Sequence, residues 1–191
     1  MQLVKKRLQY YLHESKWFFL IRFTSVFLFL YACFVFFIGI AMPGGLIENQ
    51  FLYEHFNLIS YYTHLVNNTV VQSLRWMGIE AWRNGPINIK TAFGGVNIIY
   101  ACLAIGVHCI WIAFVIAIKN STLKKVLWIS IGNIMLFVLN IIRIALILLA
   151  QRQKDYALSF YGIDHHDLFD IACYILMTIL GWLYYKNTEK K

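Results

Sequence analysis

An all-α integral membrane protein is the fold class this sequence predicts, and three observations predict it. Hydrophobic residues fill 60% of the 191 positions and charged ones only 14%, against roughly 45–50% and about 25% in soluble domains. The mean hydropathy is +0.62. The apolar residues gather into four stretches near the roughly 20 residues a helix needs to cross a bilayer, and Lys and Arg gather on one side of them. A water-soluble globule, a disordered chain and a disulfide scaffold are all excluded, the last because the 4 cysteines have no framework spacing.

In chain order, the first span runs from Trp17 to Ala41 with Arg22 as its one charge. It is too long, and begins too late, for a cleavable signal peptide. A long outside segment, Met42 to Gly95, follows and opens with Pro43-Gly44-Gly45. Within it, positions 56–82 place Leu58, Tyr61, Leu65, Val66, Val70 and Leu74 at helical spacing against Asn57, Thr63, Asn67, Gln72 and Arg75. That pattern predicts an amphipathic helix lying on the outer membrane surface. Residues Ile87 to Ala92 alternate after Asn84-Gly85-Pro86, which predicts a short extended piece. The second span, Val96 to Ile118, holds no Asp, Glu, Lys or Arg, and the third, Val126 to Ala150, has Arg143 alone. After a polar stretch, Gln151 to Leu168, the fourth span covers Phe169 to Tyr185 with Asp170 at its edge. No repeat or linker divides residues 1–191, so they form a single membrane domain.

Orientation follows from the basic residues. Ten lie in the N-terminal tail, the 119–125 loop and the C-terminal tail; five lie in the two outside segments, diluted there by Glu48, Glu54, Glu80, Asp155, Asp164 and Asp167. Both termini are therefore expected in the cytoplasm. The net charge of +8 is a consequence of topology, with the bilayer rather than nucleic acid as partner.

A few polar residues resist this apolar background. Arg143 sits seven residues from the outer end of its span, roughly 10 Å in at 1.5 Å per residue. A charge there costs at least about 2.5–3.5 kcal/mol on insertion scales. Snorkelling to the interface would relieve it, but Asn140 lies three residues earlier on the same helix face. Cys102 falls about one turn below the outer surface, and Cys109 near mid-membrane. They are two turns apart, too far for a disulfide. Cys33, Cys109 and Cys173 read as small hydrophobes. His165 and His166 stand between Asp164 and Asp167 just outside the last span. Adjacent residues rarely converge on one ion, and no further ligand cluster accompanies them, so no metal is expected. Cys102, Arg143 and the His pair share one depth on three elements. A cation beside a thiol favours the reactive thiolate, a guanidinium suits a developing oxyanion, and imidazole moves protons.

The run Val96-Asn97-Ile98-Ile99-Tyr100-Ala101-Cys102, then Asn140-Ile141-Ile142-Arg143, then His165-His166 before the last span, resembles the exosortase/archaeosortase family. It looks most like the small exosortase-family proteins of Bacteroidetes, over roughly residues 60–185. The resemblance implies a cysteine transpeptidase or peptidase of the bacterial inner membrane with its active site facing the periplasm and no cofactor. Its substrates would be proteins whose C-terminal sorting signal combines a short motif, a transmembrane helix and a basic tail, transferred to an acceptor and so anchored at the cell surface. Cys102 would be the nucleophile, Arg143 the stabiliser of the oxyanion or thiolate, and His166 or His165 the acid/base. His166 is favoured because the family's His directly precedes the final helix. Asn140 would match the Asn before the family's Arg, as a substrate-binding residue. One departure stands out: Leu103-Ala104-Ile105-Gly106 follows the cysteine where the family commonly has Ser and Gly. The competing expectation is a non-catalytic assembly or transport subunit in which Asn140 and Arg143 are interhelical contacts.

Overall fold

A computed structural model describes the backbone of residues 2–41, 51, 57–151, 159–160 and 163–189, with side chains over 17–36, 51, 57–99, 102–151 and 167–187. The first apolar stretch lies within one long helix, α1 (Gln2–Ala41). Aromatic residues four apart form a ladder along it: Phe19–Phe23 and Phe23–Phe27 stack at 6.1 and 6.3 Å, and Phe27–Tyr31 at 5.8 Å. The ladder meets the bundle edge-on at Phe114, 6.1 Å from Phe19.

Helix α2 (Leu58–Trp76) begins at Asn57, whose Oδ1 accepts the Ser60 amide at 2.9 Å and satisfies one orphan donor of the first turn. It ends before Gly78, which takes φ +77°, a left-handed conformation that favours glycine. An antiparallel meander follows: β1 (Ala81–Arg83), β2 (Asn88–Thr91) and β3 (Gly94–Asn97), with β2 central and Ile89 opposite Val96. A 3₁₀ turn (Tyr100–Leu103) leads to α3 (Ile105–Ala117), then to α4 (Thr122–Ala150). A two-residue hairpin, β4 (Ser159–Phe160) with β5 (Ile163–Asp164), precedes α5 (His165–Glu189).

The architecture is thus mostly helical rather than all-α, and two expectations change. Among the described residues three helical segments are long and apolar enough to cross a membrane, Trp17–Phe36, Thr122–Ala150 and Asp167–Asn187. The charge-free run 96–118 is divided instead. Its start pairs in the sheet, its middle is the 3₁₀ turn, and only Ile105–Ala117 is α-helix. Thirteen residues reach about 20 Å, short of the roughly 30 Å of hydrocarbon. An apolar run without charge cannot by itself say where helix begins.

The amphipathic helix is also shorter than 56–82, because Ala81–Arg83 is strand, and one of its apolar faces packs on protein. Ile59, Val66, Val70 and Leu74 are buried in a core shared with Ile144 and Leu148 of α4 and Ile89 of the sheet. Its polar members Thr63 and Asn67 are buried too: the Thr63 hydroxyl donates to the Ile59 carbonyl at 2.8 Å, and Asn67 Nδ2 to the Pro86 carbonyl at 2.9 Å. Leu58, Tyr61 and Leu65 face outward, each more than half exposed.

A second core joins α3, α4 and α5 around Trp111, Val115, Leu136, Cys173 and Tyr184. Trp111 Nε1 donates to the Trp128 carbonyl at 3.1 Å. Lys125 Nζ caps the end of α3 through the Ile116 carbonyl at 2.8 Å, and Lys124 reaches the Asn187 carbonyl at 3.4 Å. The lysines therefore collect where α3 ends, α4 begins and α5 ends.

Gly132 lets α4 meet α3 closely, since a Cβ there would overlap the Trp111 indole. Gly132→Leu should destabilise the protein by about 1–3 kcal/mol through overpacking, read as a lower midpoint of thermal unfolding in detergent. Gly106→Ala, whose Cβ would meet nothing within 4 Å, should leave the midpoint unchanged.

Candidate active site

Buried backbone outside helix and sheet must find its hydrogen bonds within the protein. The segment between β3 and α3 does so. Ile98 N–H donates to the Ile87 carbonyl at 2.7 Å, and Cys102 N–H donates to the Ile99 carbonyl at 2.8 Å. Ala104 closes the turn at φ 54°, the sole non-glycine residue with positive φ among the described residues. A left-handed alanine costs roughly 1–2 kcal/mol, so surrounding contacts must hold it. Ile98, Leu103 and Ala104 are buried, and Cys102 is half-buried.

The Cys102 carbonyl, which no helix accommodates, accepts Asn140 Nδ2 at 2.8 Å. Asn140 itself is fully buried. Its Oδ1 has no hydrogen-bond partner among the described residues. One turn further along α4, Arg143 is 8% exposed, and its guanidinium carbon lies 4.6 Å from the centre of the Phe169 ring. That geometry is a cation–π contact, worth about 2 kcal/mol or more when desolvated. Phe169 belongs to α5, whose first two residues are His165 and His166. Both positions therefore lie one helical turn ahead of the ring that packs on Arg143; their side chains fall outside the described residues. The cysteine turn, the Asn140–Arg143 face of α4 and the start of α5 thus meet at one end of the bundle.

The other cysteines are placed differently. Cys109 and Cys173 are buried at 6% and 0% exposure, and Cys33 is half-buried on α1. All four thiols are free.

A second polar group, not evident in the sequence, joins α2, α3 and α4. His108 Nδ1 lies 2.6 Å from Asn133 Oδ1, and the Tyr62 hydroxyl 3.4 Å from His108 Nε2. His108 does not register as a charge in a hydropathy scan of 96–118. The available signal was spacing: Asn133 precedes Asn140 by seven residues, two turns along one face.

A family model described as transmembrane exosortase matches residues 15–183. No curated protein and no solved structure matches the chain.

Replacing Asn140 by Ala leaves the buried Cys102 carbonyl without its partner, at a cost of about 1–3 kcal/mol. The expected result is a lower unfolding midpoint, together with altered maleimide labelling at Cys102. In the native protein, labelling followed by peptide mass spectrometry should modify Cys102 ahead of the buried Cys109 and Cys173.

Proposed function

The chain is a member of the transmembrane exosortase family, and on that footing we propose that it is a cysteine transpeptidase working at the periplasmic face of a bacterial inner membrane. Its substrates are proteins bearing a C-terminal sorting signal, a short motif followed by a membrane helix and a basic tail. The observation that carries this reading is the hydrogen bond from Asn140 to the Cys102 carbonyl, with Arg143 one turn away on the same helix. It sets the Cys102 backbone against the face of α4 that also carries Arg143, which supports a site drawing on a thiol and a fixed cation from separate elements.

In this mechanism the Cys102 thiolate attacks the carbonyl carbon of the scissile peptide bond. The carbonyl π electrons move to oxygen, and Arg143 stabilises the oxyanion. Arg suits this task because it is always charged and presents a rigid fork of donors. Collapse breaks the C–N bond; the departing amine takes a proton from His166 or His165, and the acyl group remains on Cys102 as a thioester. An acceptor amine or water then attacks, gives its proton to the same imidazole, and releases the product with the Cys102 thiolate and the protonated imidazole restored. Asn140 acts through the Cys102 backbone and is a positioning residue. Holding a nucleophile in a near-attack geometry supplies much of an enzyme's rate, and this hydrogen bond is the means by which α4 sets it.

The competing reading, a non-catalytic membrane subunit, draws on the same contacts, because Asn140 and Arg143 also join helices. Processing of a co-expressed membrane protein with a C-terminal helix and basic tail separates the two. With all variants at equal membrane levels, Cys102→Ala should abolish cleavage and Cys109→Ala should leave it intact. Cleavage that survives Cys102→Ala contradicts the mechanism. Arg143→Lys, which keeps the charge but loses the fork, should slow cleavage by about 10²-fold, the loss typical of an oxyanion donor. Of the two histidine variants, His166→Ala is expected to be the inactive one.

A further inference from the structure

Beside the cysteine turn, a groove of about 520 Å³ opens between α1, α2, α3 and α4. Ile105, Phe137 and Tyr62 of its lining pack against the same core as Cys102 does. Its rim includes Leu58 and Ile134, exposed by 59% and 63%, so it opens sideways toward the bilayer. The lining is apolar except for Tyr62, His108 and Asn133, whose hydrogen bonds form a relay.

The direction of that relay can be deduced. Asn133 Nδ2 donates to the Ile129 carbonyl at 2.9 Å, which makes Oδ1 the acceptor from His108 Nδ1–H. In the neutral ring Nε2 is then an acceptor, and the Tyr62 hydroxyl donates to it across 3.4 Å. The Tyr62 oxygen keeps its lone pairs on the groove side for a donor from outside.

We propose that this groove receives the membrane helix of the substrate, immediately beyond the scissile bond, and that Tyr62 reads one hydroxyl- or amide-bearing side chain on it. This rests on Cys102 as the nucleophile for the question of which bond is cut, though not for the binding itself. Three features favour a peptide helix over a lipid. The groove is continuous with the cysteine turn and lies along α4 at the depth of the hydrocarbon. A lipid tail has no hydrogen-bonding group at that depth, so it would leave the Tyr62 oxygen without a new partner. A helix satisfies its own backbone and can still present one polar side chain there. The position follows from the rise of α4. Asn133 lies seven residues below Asn140, about 10 Å, so the side chain read by Tyr62 belongs about seven residues, two turns, past the cleavage point.

The test uses the full chain carrying Cys102→Ala, in which binding is seen without cleavage. A photoreactive benzoylphenylalanine replaces Ile134. The probe is a designed peptide with a soluble head, a Leu/Ala membrane helix and a Lys/Arg tail, with Thr or Leu at the seventh helix position. The Thr peptide should crosslink roughly three- to tenfold more than the Leu peptide, the range of one net hydrogen bond. Tyr62→Phe should erase that preference. Ile112→Trp, which fills the groove from α3, should reduce crosslinking of both peptides. Equal crosslinking of Thr and Leu peptides to the Tyr62-containing chain overturns the readout. Crosslinking from benzoylphenylalanine at the outward-facing Ile179 of α5, and not from position 134, overturns the groove. If Cys102 is not the nucleophile, these crosslinks persist while cleavage survives Cys102→Ala, so the two failures are distinguishable.

Discussion

One hydrogen bond organises this end of the molecule. Regular hydrogen bonding breaks off between β3 and α3, and a carbonyl shielded there must find its partner within the protein. Here Asn140 of α4 supplies it to the carbonyl of Cys102. The same contact that makes the break tolerable fixes where the cysteine stands relative to α4, and hence to Arg143 one turn along. Structural necessity and site assembly therefore converge on one amide. A left-handed Ala104 immediately after the turn is the local conformational cost, and burial of Leu103 and Ile98 on either side helps to hold it.

The rest of the fold serves that break. The small sheet ends where the turn begins and is held to α4 by Gln151 Nε2 on the Gly95 carbonyl at 3.3 Å. Helix α2 buries its inner face against α4 and the sheet, so the C-terminal half of α4 is covered by protein. Below, Trp111 against Gly132 and the lysine caps lock α3, α4 and α5 together. Arg143 is desolvated between α4 and the Phe169 ring, a setting in which a fixed charge acts far more strongly than in water. The Asn133–Phe137–Asn140 face of α4 joins the cysteine turn to the apolar groove beneath it.

Much of this was legible in the residues. The spans containing Trp17–Phe36, Thr122–Ala150 and Asp167–Asn187 announce themselves by length and hydropathy, and Asn140 and Arg143 stand out as a polar pair on an apolar helix. The short extended piece after Asn84-Gly85-Pro86 is the central strand β2 of a sheet. What the pattern concealed has physical causes. In 96–118 strand, 3₁₀ turn and helix are all apolar because all three are buried or face lipid, so composition carries no boundary. In α2 both faces carry apolar residues. Leu58, Tyr61 and Leu65 were grouped with Val66, Val70 and Leu74, yet the first three point outward, and Thr63 and Asn67 take places in the core through local hydrogen bonds. The bond from Asn140 to the Cys102 carbonyl is invisible in sequence because a backbone carbonyl has no signature there. His108 was missed because a neutral histidine leaves no mark on a charge count.

The account depends most on Cys102 carrying the acyl group. The direct measurement is peptide mass spectrometry of the protein after mixing with a substrate bearing a C-terminal helix and basic tail, quenched in acid. The account predicts an acyl adduct on the peptide containing Cys102, released by hydroxylamine as a thioester is. Processing that proceeds with no adduct at Cys102, or with the adduct on Cys33, Cys109 or Cys173, would contradict it.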